Sequence, residues 1–441
     1  MTLKSQNSSK MEKSAIVIGS GAGGLATAIR LAALGLKVSV FEKNGVPGGK
    51  IAEIRENGYR FDTGPSLFTL PHLVEELTPA SSNRLEIQKL ATISRYFYPD
   101  KTVFTAPADP ELFAREISRV TGENKDHVSR YLDETAELYN LTSPIFLLTA
   151  FHRLSRLFQA NNLGVLTGML KFNPFRSMHK HNQKSFDSHK TIQLFDRYAT
   201  YNGSDPYRAP ATLNMIAHLE HNLGAFFPAG GIVRIVEHLY QVALSYGVRF
   251  FFNHEVEEIL VENQRALGVE ANKQPFQADL VVSAGDIFRT WSRLLPKHKA
   301  PRSVKKPDLS SSALIFYLGI RRSFEQLDLH NIFFSGNYPE EFHSLSPKGI
   351  SKPYEDPTVY VYNSSLLNPA DAPPGGSNLF VMINAPYNRG ENWDEWAQGA
   401  RQHILRKLQG HGIDLSSGIE FERVATPQSI EEMTLSTCLL Y

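Results

Sequence analysis

The sequence predicts a mixed α/β fold: an N-terminal dinucleotide-binding unit, an inserted helical lid, a return to the nucleotide unit, and an antiparallel-sheet domain. Three observations predict it. A glycine-rich strand-to-helix turn lies between Ser14 and Glu42, and helical periodicity over residues 127–172 then interrupts the α/β alternation. From Ser311 the runs ALIFYLGI, TVYVYNSS and NLFVMINAP follow, separated by Pro/Gly loops such as Pro369 to Gly376.

The first element, Ala15 to Ile18, is a short apolar run suited to a buried parallel strand, and Gly19-x-Gly21-x-x-Gly24 follows at once. In this Rossmann-like pattern Gly19 makes the tight turn, and Gly21 lets the backbone approach a pyrophosphate. Gly24 lets the helix over Gly23 to Leu34 lie close on the strand, with its N-terminus facing the phosphates. Gly35 closes that helix in the left-handed conformation, and Lys37 to Phe41 form a second strand. The strand ends in Glu42, an acid placed to accept hydrogen bonds from adenosine ribose hydroxyls. A lone GxGxxG also occurs as a mere packing turn; here strand, glycines, helix, stop, second strand and acid fall in order, so the segment binds a dinucleotide. Lys43 beside the acid does not exclude a 2′-phosphate, but Pro47-Gly48-Gly49-Lys50 and Asp62-Thr63-Gly64-Pro65-Ser66 have no use in a nicotinamide enzyme.

Ser94 to Thr105 reads as a hairpin turning at Pro99-Asp100-Lys101, followed by a helix from Pro110 to Thr121. Over 151–190, Arg153, Arg156, Lys171, Arg176, Lys180, Lys184 and Lys190 face a single acid, Asp187, beside the apolar runs IFLLTAF and LGVLTGMLKF. That juxtaposition fits a helix lying in a lipid interface, and equally a lid helix with a solvated basic rim. His179 and His181 have no carboxylate or cysteine at ligand spacing, so no metal is expected. Phe227-Pro228-Ala229-Gly230-Gly231 opens a helix that ends at Gly247, and Val248–Phe252, Val256–Val261, Ala266–Ala271 and Asp279–Ala284 read as strands. A last helix is expected over Trp393 to Leu408. The expected division is 11–75 and 225–292 for the nucleotide unit, 76–224 for the lid and membrane-contact region, and 293–441 for the substrate domain.

With 46 basic and 45 acidic residues the net charge is +1, so composition argues neither for nucleic acid nor for an acidic partner, and no nucleic acid is expected. The single cysteine, Cys438, excludes an intrachain disulfide and fits a reducing cytoplasm. The polar leader MTLKSQNSSK lacks the apolar core of a secretory signal, and no run of eighteen apolar residues could span a bilayer. GxSxG, HExxH and a cysteine nucleophile are all missing, so side chains alone do not supply a reaction.

FEKNGVPGGK and GYRFDTGPS resemble the flavin amine oxidase superfamily, and within it the bacterial-type carotenoid desaturases. The resemblance implies bound FAD, with Gly48, Gly49 and Lys50 beside the pyrophosphate, Gly64, Pro65 and Ser66 near the flavin ring, and the Val256 backbone at the adenine. Gly19, Gly21, Gly24, Glu42 and Lys43 complete the implied cofactor set. FDRYATYNGSDPYRAPATL and INAPYNRGENWDEW resemble the branch that introduces a 3,4 double bond into 1-hydroxylated acyclic carotenoids. The implied activity is an oxidoreductase acting on an acyclic carotenoid from a peripheral position on a membrane. A phytoene desaturase shares every flavin motif and stays open as an alternative, as do a carotenoid cis-trans isomerase and an inactive flavoprotein. Relatives of this type carry a further Gly/Pro-rich flavin segment after a TPQSIEE-like stretch. No such segment occurs before Tyr441, so an incomplete flavin domain with weak FAD binding is expected.

Overall fold

The computed structural model describes residues 13–80, 83–146, 175–305, 309–346 and 353–435. A four-stranded parallel sheet runs in the order Leu280–Ser283, Ser14–Ile18, Lys37–Phe41, Arg249–Phe251. Its inner strands are apolar because both faces are covered. Helix Ala22–Ala33 packs with helix Val233–Ser245 on one face, around Leu25, Ile29, Val236 and Leu239. A meander of Val256–Glu262, Arg265–Ala271 and Gln274–Gln277 covers Ile16 and Phe41 on the other. Its turns, Asn263-Gln264 and Asn272-Lys273, have positive φ at both residues, which matches strand twist in a two-residue hairpin. The two strands from 11–75 thus lie side by side with a strand from 225–292 on each edge, and Gly35 ends the first helix at φ +85° as expected.

The second sheet has seven strands in the order Ile419–Ala425, Ser312–Ile320, Ser377–Ala385, Val359–Asn363, His330–Phe333, Thr92–Phe97, Val103–Pro107. It is wider than the antiparallel sheet expected from Ser311. The hairpin at Pro99–Lys101 forms as expected but joins this sheet by a parallel pairing of Asn331 with Arg95 and Phe333 with Phe97, so the sheet is mixed. Helix Trp393–Gly410 covers one face through Trp396, Ala400, Ile404 and Leu408. An aromatic core covers the other, with helices Pro110–Thr121 and His189–Asp196 above it. Of the expected lid, helix Lys125–Phe146 is described, with Pro144 inside it. Residues 147–174, with Arg153, Arg156, Lys171, the run LGVLTGMLKF and all but the first two residues of IFLLTAF, lie outside the described residues, as does Cys438.

A hairpin of Glu53–Glu56 and Tyr59–Asp62 leads the chain from the first sheet to the second. Tyr59 is clamped beneath the second sheet, because a side chain at Gly319 would strike its ring. Arg60, 3% exposed, pairs with Asp62 at 2.6 Å, Asp371 at 3.2 Å and Glu53 at 2.7 Å. Asp62 also accepts from Val233 N at 3.2 Å, at the start of the second nucleotide-unit helix. This buried network fixes the segment that continues into Gly64–Ser66.

Candidate functional site

Two cavities meet at that segment. The first, about 480 Å³, opens along the C-terminal edge of the parallel sheet, where open α/β sheets take ligands. Gly19, Gly21, Glu42, Lys43, Gly48, Gly49, Lys50, Pro65 and Val256 line it. Gly24 does not; a side chain there would collide with Gly19 O, so it serves the helix–strand contact. Gly64 and Ser66 line the second cavity, of about 340 Å³, and Pro65 lines both.

The cleft fits a dinucleotide. Gly48 N donates to Ser20 O at 3.0 Å, which stitches the second glycine pair to the first turn. Gly48 and Gly49 have φ of +139° and +60°, values that favour glycine. A Cβ on Gly21 would find only Gly48 O, at 3.8 Å, so its open side faces the cleft. Among the described residues no side chain caps the helix starting at Ala22, and its first turn has no acid. Its unpaired N–H groups and positive dipole end are therefore left for an anion, as a pyrophosphate requires. Glu42, 6% exposed, accepts from Ser20 N at 2.9 Å, Ser20 Oγ at 2.8 Å and Asn44 N at 2.9 Å. Those donors fix the carboxylate and leave acceptor capacity for a ribose hydroxyl.

The sequence reading missed one wall of the cleft. Met433, Thr434 and Leu435 line it, at the end of helix Pro427–Thr434, whose capping box joins Thr426 and Ser429. Lys43 Nζ donates to Glu432 O at 3.1 Å, and burial pushes the Lys43 pKa down. The other missed lining is the stretch after strand Leu280–Ser283, where Asp286 caps Phe288 and Arg289, and Arg289 pairs with Glu255 at 2.6 Å.

Leu67, Ile332, Phe380 and Met382 give the second cavity an apolar floor, but Arg197, Tyr201, His330 and Tyr360 also line it. Arg197 lies over the rings of Tyr96, Tyr198 and Tyr201 at 5.3, 4.7 and 5.5 Å and pairs with Glu220 at 3.2 Å. Burial acts to raise the Glu220 carboxyl, but Arg197 and His221 outweigh it and hold the pKa below its ordinary value.

Burial holds His221 down to about 4 and His330 down to about 3, from an ordinary 6.5. In the unfolded chain both rings take up a proton near 6.5, which in the folded chain they resist. Stability is therefore full above that pH and falls as pH drops toward 4, by about 1.4 kcal/mol per pH unit per ring. Urea unfolding at several pH values should show a slope of this sign, to which His411, held down to about 4, also contributes. His221→Gln should reduce the slope by about 1.4 kcal/mol per pH unit; an unchanged slope in the variant would rule His221 out as a source.

His179 pairs with Asp196 at 2.6 Å, while burial and Arg176 lower the pKa of His181. Lys190 is held by Asp100 and Thr102, whereas Lys180 and Lys184 are exposed. No described helix is long and apolar enough to cross a membrane.

The sequence matches the family described as flavin containing amine oxidoreductase over residues 22–424. It is 43% identical over 429 residues to a 1-hydroxycarotenoid 3,4-desaturase of Flavobacterium sp. (strain P99-3), covering 96% of this chain and 87% of the relative. It is 30% identical to a 4,4'-diapolycopene oxygenase of Methylomonas sp, covering 94% and 85%. Among solved structures, a putrescine oxidase triple mutant superposes with a TM-score of 0.61 at 14% identity, covering 97% and 87%. An oxidoreductase from Methanosarcina mazei gives 0.59 at 18% identity, covering 93% and 87%, so both share the fold. The chain belongs to the flavin-containing amine oxidoreductase family.

Proposed function

We propose that the chain is an FAD-dependent desaturase of acyclic carotenoids, acting at the 3,4 position of a 1-hydroxylated substrate. The observation that carries this reading is Pro65: one residue lines both the dinucleotide cleft and an apolar cavity. Held by the cleft residues, a flavin would supply the hydride acceptor for a saturated carbon beside a polyene, with loss of a neighbouring proton to solvent completing the new double bond. The chain's own part is positional. Its cleft anchors the nucleotide, the Arg60 network holds Gly64–Ser66, and the aromatic floor aligns a rigid polyene and excludes water. Dinucleotide binding by Gly19, Gly21, Glu42, Gly48, Gly49 and Val256 is part of this proposal.

The FAD-loaded protein, given 1-hydroxyneurosporene, should yield a product lacking two hydrogens and absorbing at longer wavelength. A product of unchanged mass would indicate isomerisation, and one that gains oxygen would place the activity with the oxygenase relatives; either outcome rejects the reading.

We also infer a peripheral position on a membrane surface, reached from the cytoplasm. Phe175 is 94% exposed, next in sequence to Arg176 and close to exposed Lys180 and Lys184. Each such cation contributes about 1 kcal/mol near an anionic surface. Binding to anionic liposomes should weaken about tenfold or more with added salt. Equal binding to neutral liposomes, indifferent to salt, would contradict it.

A further inference from the structure

A cavity built only for a hydrocarbon needs no buried hydrogen-bonding atoms, yet this one is lined by several. Among the described residues, Arg197 Nε, His330 Nε2 and Tyr338 Oη are buried without a partner, and all three side chains line the second cavity. A buried polar atom left unpaired is costly, so such atoms point to a group that meets them. His330 differs from the other two in being tied to the segment between the cavities. Its Nδ1 lies 2.7 Å from Tyr360 Oη, and Tyr360 Oη lies 2.6 Å from Ser66 Oγ. The ring is 2% exposed and is held between tyrosines, stacked on Tyr362 with centroids 5.2 Å apart and 16° between planes.

We infer that His330 Nε2 receives the hydroxyl group of the substrate, and that this contact makes the site prefer a hydroxylated polyene end to a bare hydrocarbon one. The inference rests on the desaturase reading. The oxygen of a hydroxyl on carbon 1 is three bonds from the first carbon of a 3,4 double bond, so its receptor has to sit beside the flavin-side wall. The chain from Ser66 through Tyr360 to His330 starts at that wall. It has two possible directions. If Ser66 donates to Tyr360 and Tyr360 donates to Nδ1, then Nε2 carries the hydrogen and donates; if the chain runs the other way, Nε2 accepts. A hydroxyl donates and accepts, so it completes the chain in either direction. A carbonyl completes only one of them, and a hydrocarbon neither. Burial keeps the ring neutral, which preserves this donor-or-acceptor character. A hydrocarbon end would displace water from the cavity and leave Nε2 unpaired, so discrimination comes from the penalty on the wrong substrate as much as from the bond to the right one.

The test compares kcat/KM for 1-hydroxyneurosporene and neurosporene on the FAD-loaded protein, together with binding of each polyene to the flavin-free protein by quenching of intrinsic fluorescence. The wild type should prefer the hydroxylated compound by on the order of ten- to a hundredfold in both measurements. His330→Leu should bring both ratios to within about threefold of unity, with the loss on the hydroxylated compound appearing in KM rather than kcat. His330→Gln, which keeps a donor and an acceptor, should restore part of the preference, and Tyr360→Phe should lose part of it by breaking the chain. A wild-type ratio near unity, or a ratio that His330→Leu leaves unchanged, overturns the inference while the desaturase reading stands. If the wild type desaturates neither compound, the desaturase reading itself fails. Should His330→Leu prove unfolded by circular dichroism, the wild-type ratios and Tyr360→Phe still decide.

Discussion

Replacing Gly21 with valine is expected to give a folded protein that purifies without flavin. The backbone at Gly21 has φ −65° and ψ 174°, an extended conformation open to any L-residue. Its added Cβ would meet only Gly48 O, at 3.8 Å, so the apoprotein can accept the change. The new side chain would fill the space through which a pyrophosphate approaches the helix N-terminus. Flavin content should fall at least a hundredfold, equivalent to about 2.7 kcal/mol or more, with the circular dichroism spectrum unchanged. Gly24→Val gives the opposite pattern, because its Cβ would collide with Gly19 O inside the helix–strand contact. That variant should be lost to unfolding rather than to a specific binding defect. Flavin retained by Gly21→Val would contradict the placement of the pyrophosphate.

Arg60→Met is expected to be the most destabilising single change outside the apolar core. It leaves Asp62 and Asp371, 2% and 0% exposed, without the cation that compensates them. Burial raises the pKa of Asp371, and Arg60 opposes that rise. Breaking a buried pair from one side costs about 3–5 kcal/mol. The urea midpoint should fall accordingly, and adding Asp371→Asn should recover part of the loss. Because Asp62 also holds the start of helix Val233–Ser245, flavin release should accompany unfolding. A loss below about 1 kcal/mol would show that the network is not a joint of the fold.

What the sequence made legible was local. Gly19, Gly21, Gly24, Gly35 and Glu42 act within a single strand-helix-strand unit, and each stands where its spacing demands. The pairs that build the second cavity are remote. Ser66 and Tyr360 are 294 residues apart, and the hairpin at Thr92–Pro107 joins the large sheet through a parallel contact that no periodicity encodes. Arg197 stands in the segment Phe195 to Leu213, singled out only by its resemblance, and its partner Glu220 lies beyond that segment, because a buried ion pair surrounded by tyrosines has no spacing signature. Helix Pro427–Thr434 was equally hidden as a cleft wall, since its capping box announces a helix but not where that helix packs.

A flavin in the glycine cleft and a polyene in the second cavity are expected to meet at Gly64–Ser66. An anaerobic single turnover decides this: the FAD-loaded protein is mixed with excess 1-hydroxyneurosporene, and flavin reduction and double-bond formation are counted together. One new double bond is expected for each flavin reduced. A polyene altered while the flavin stays oxidised, or a flavin reduced with no new double bond, would contradict it.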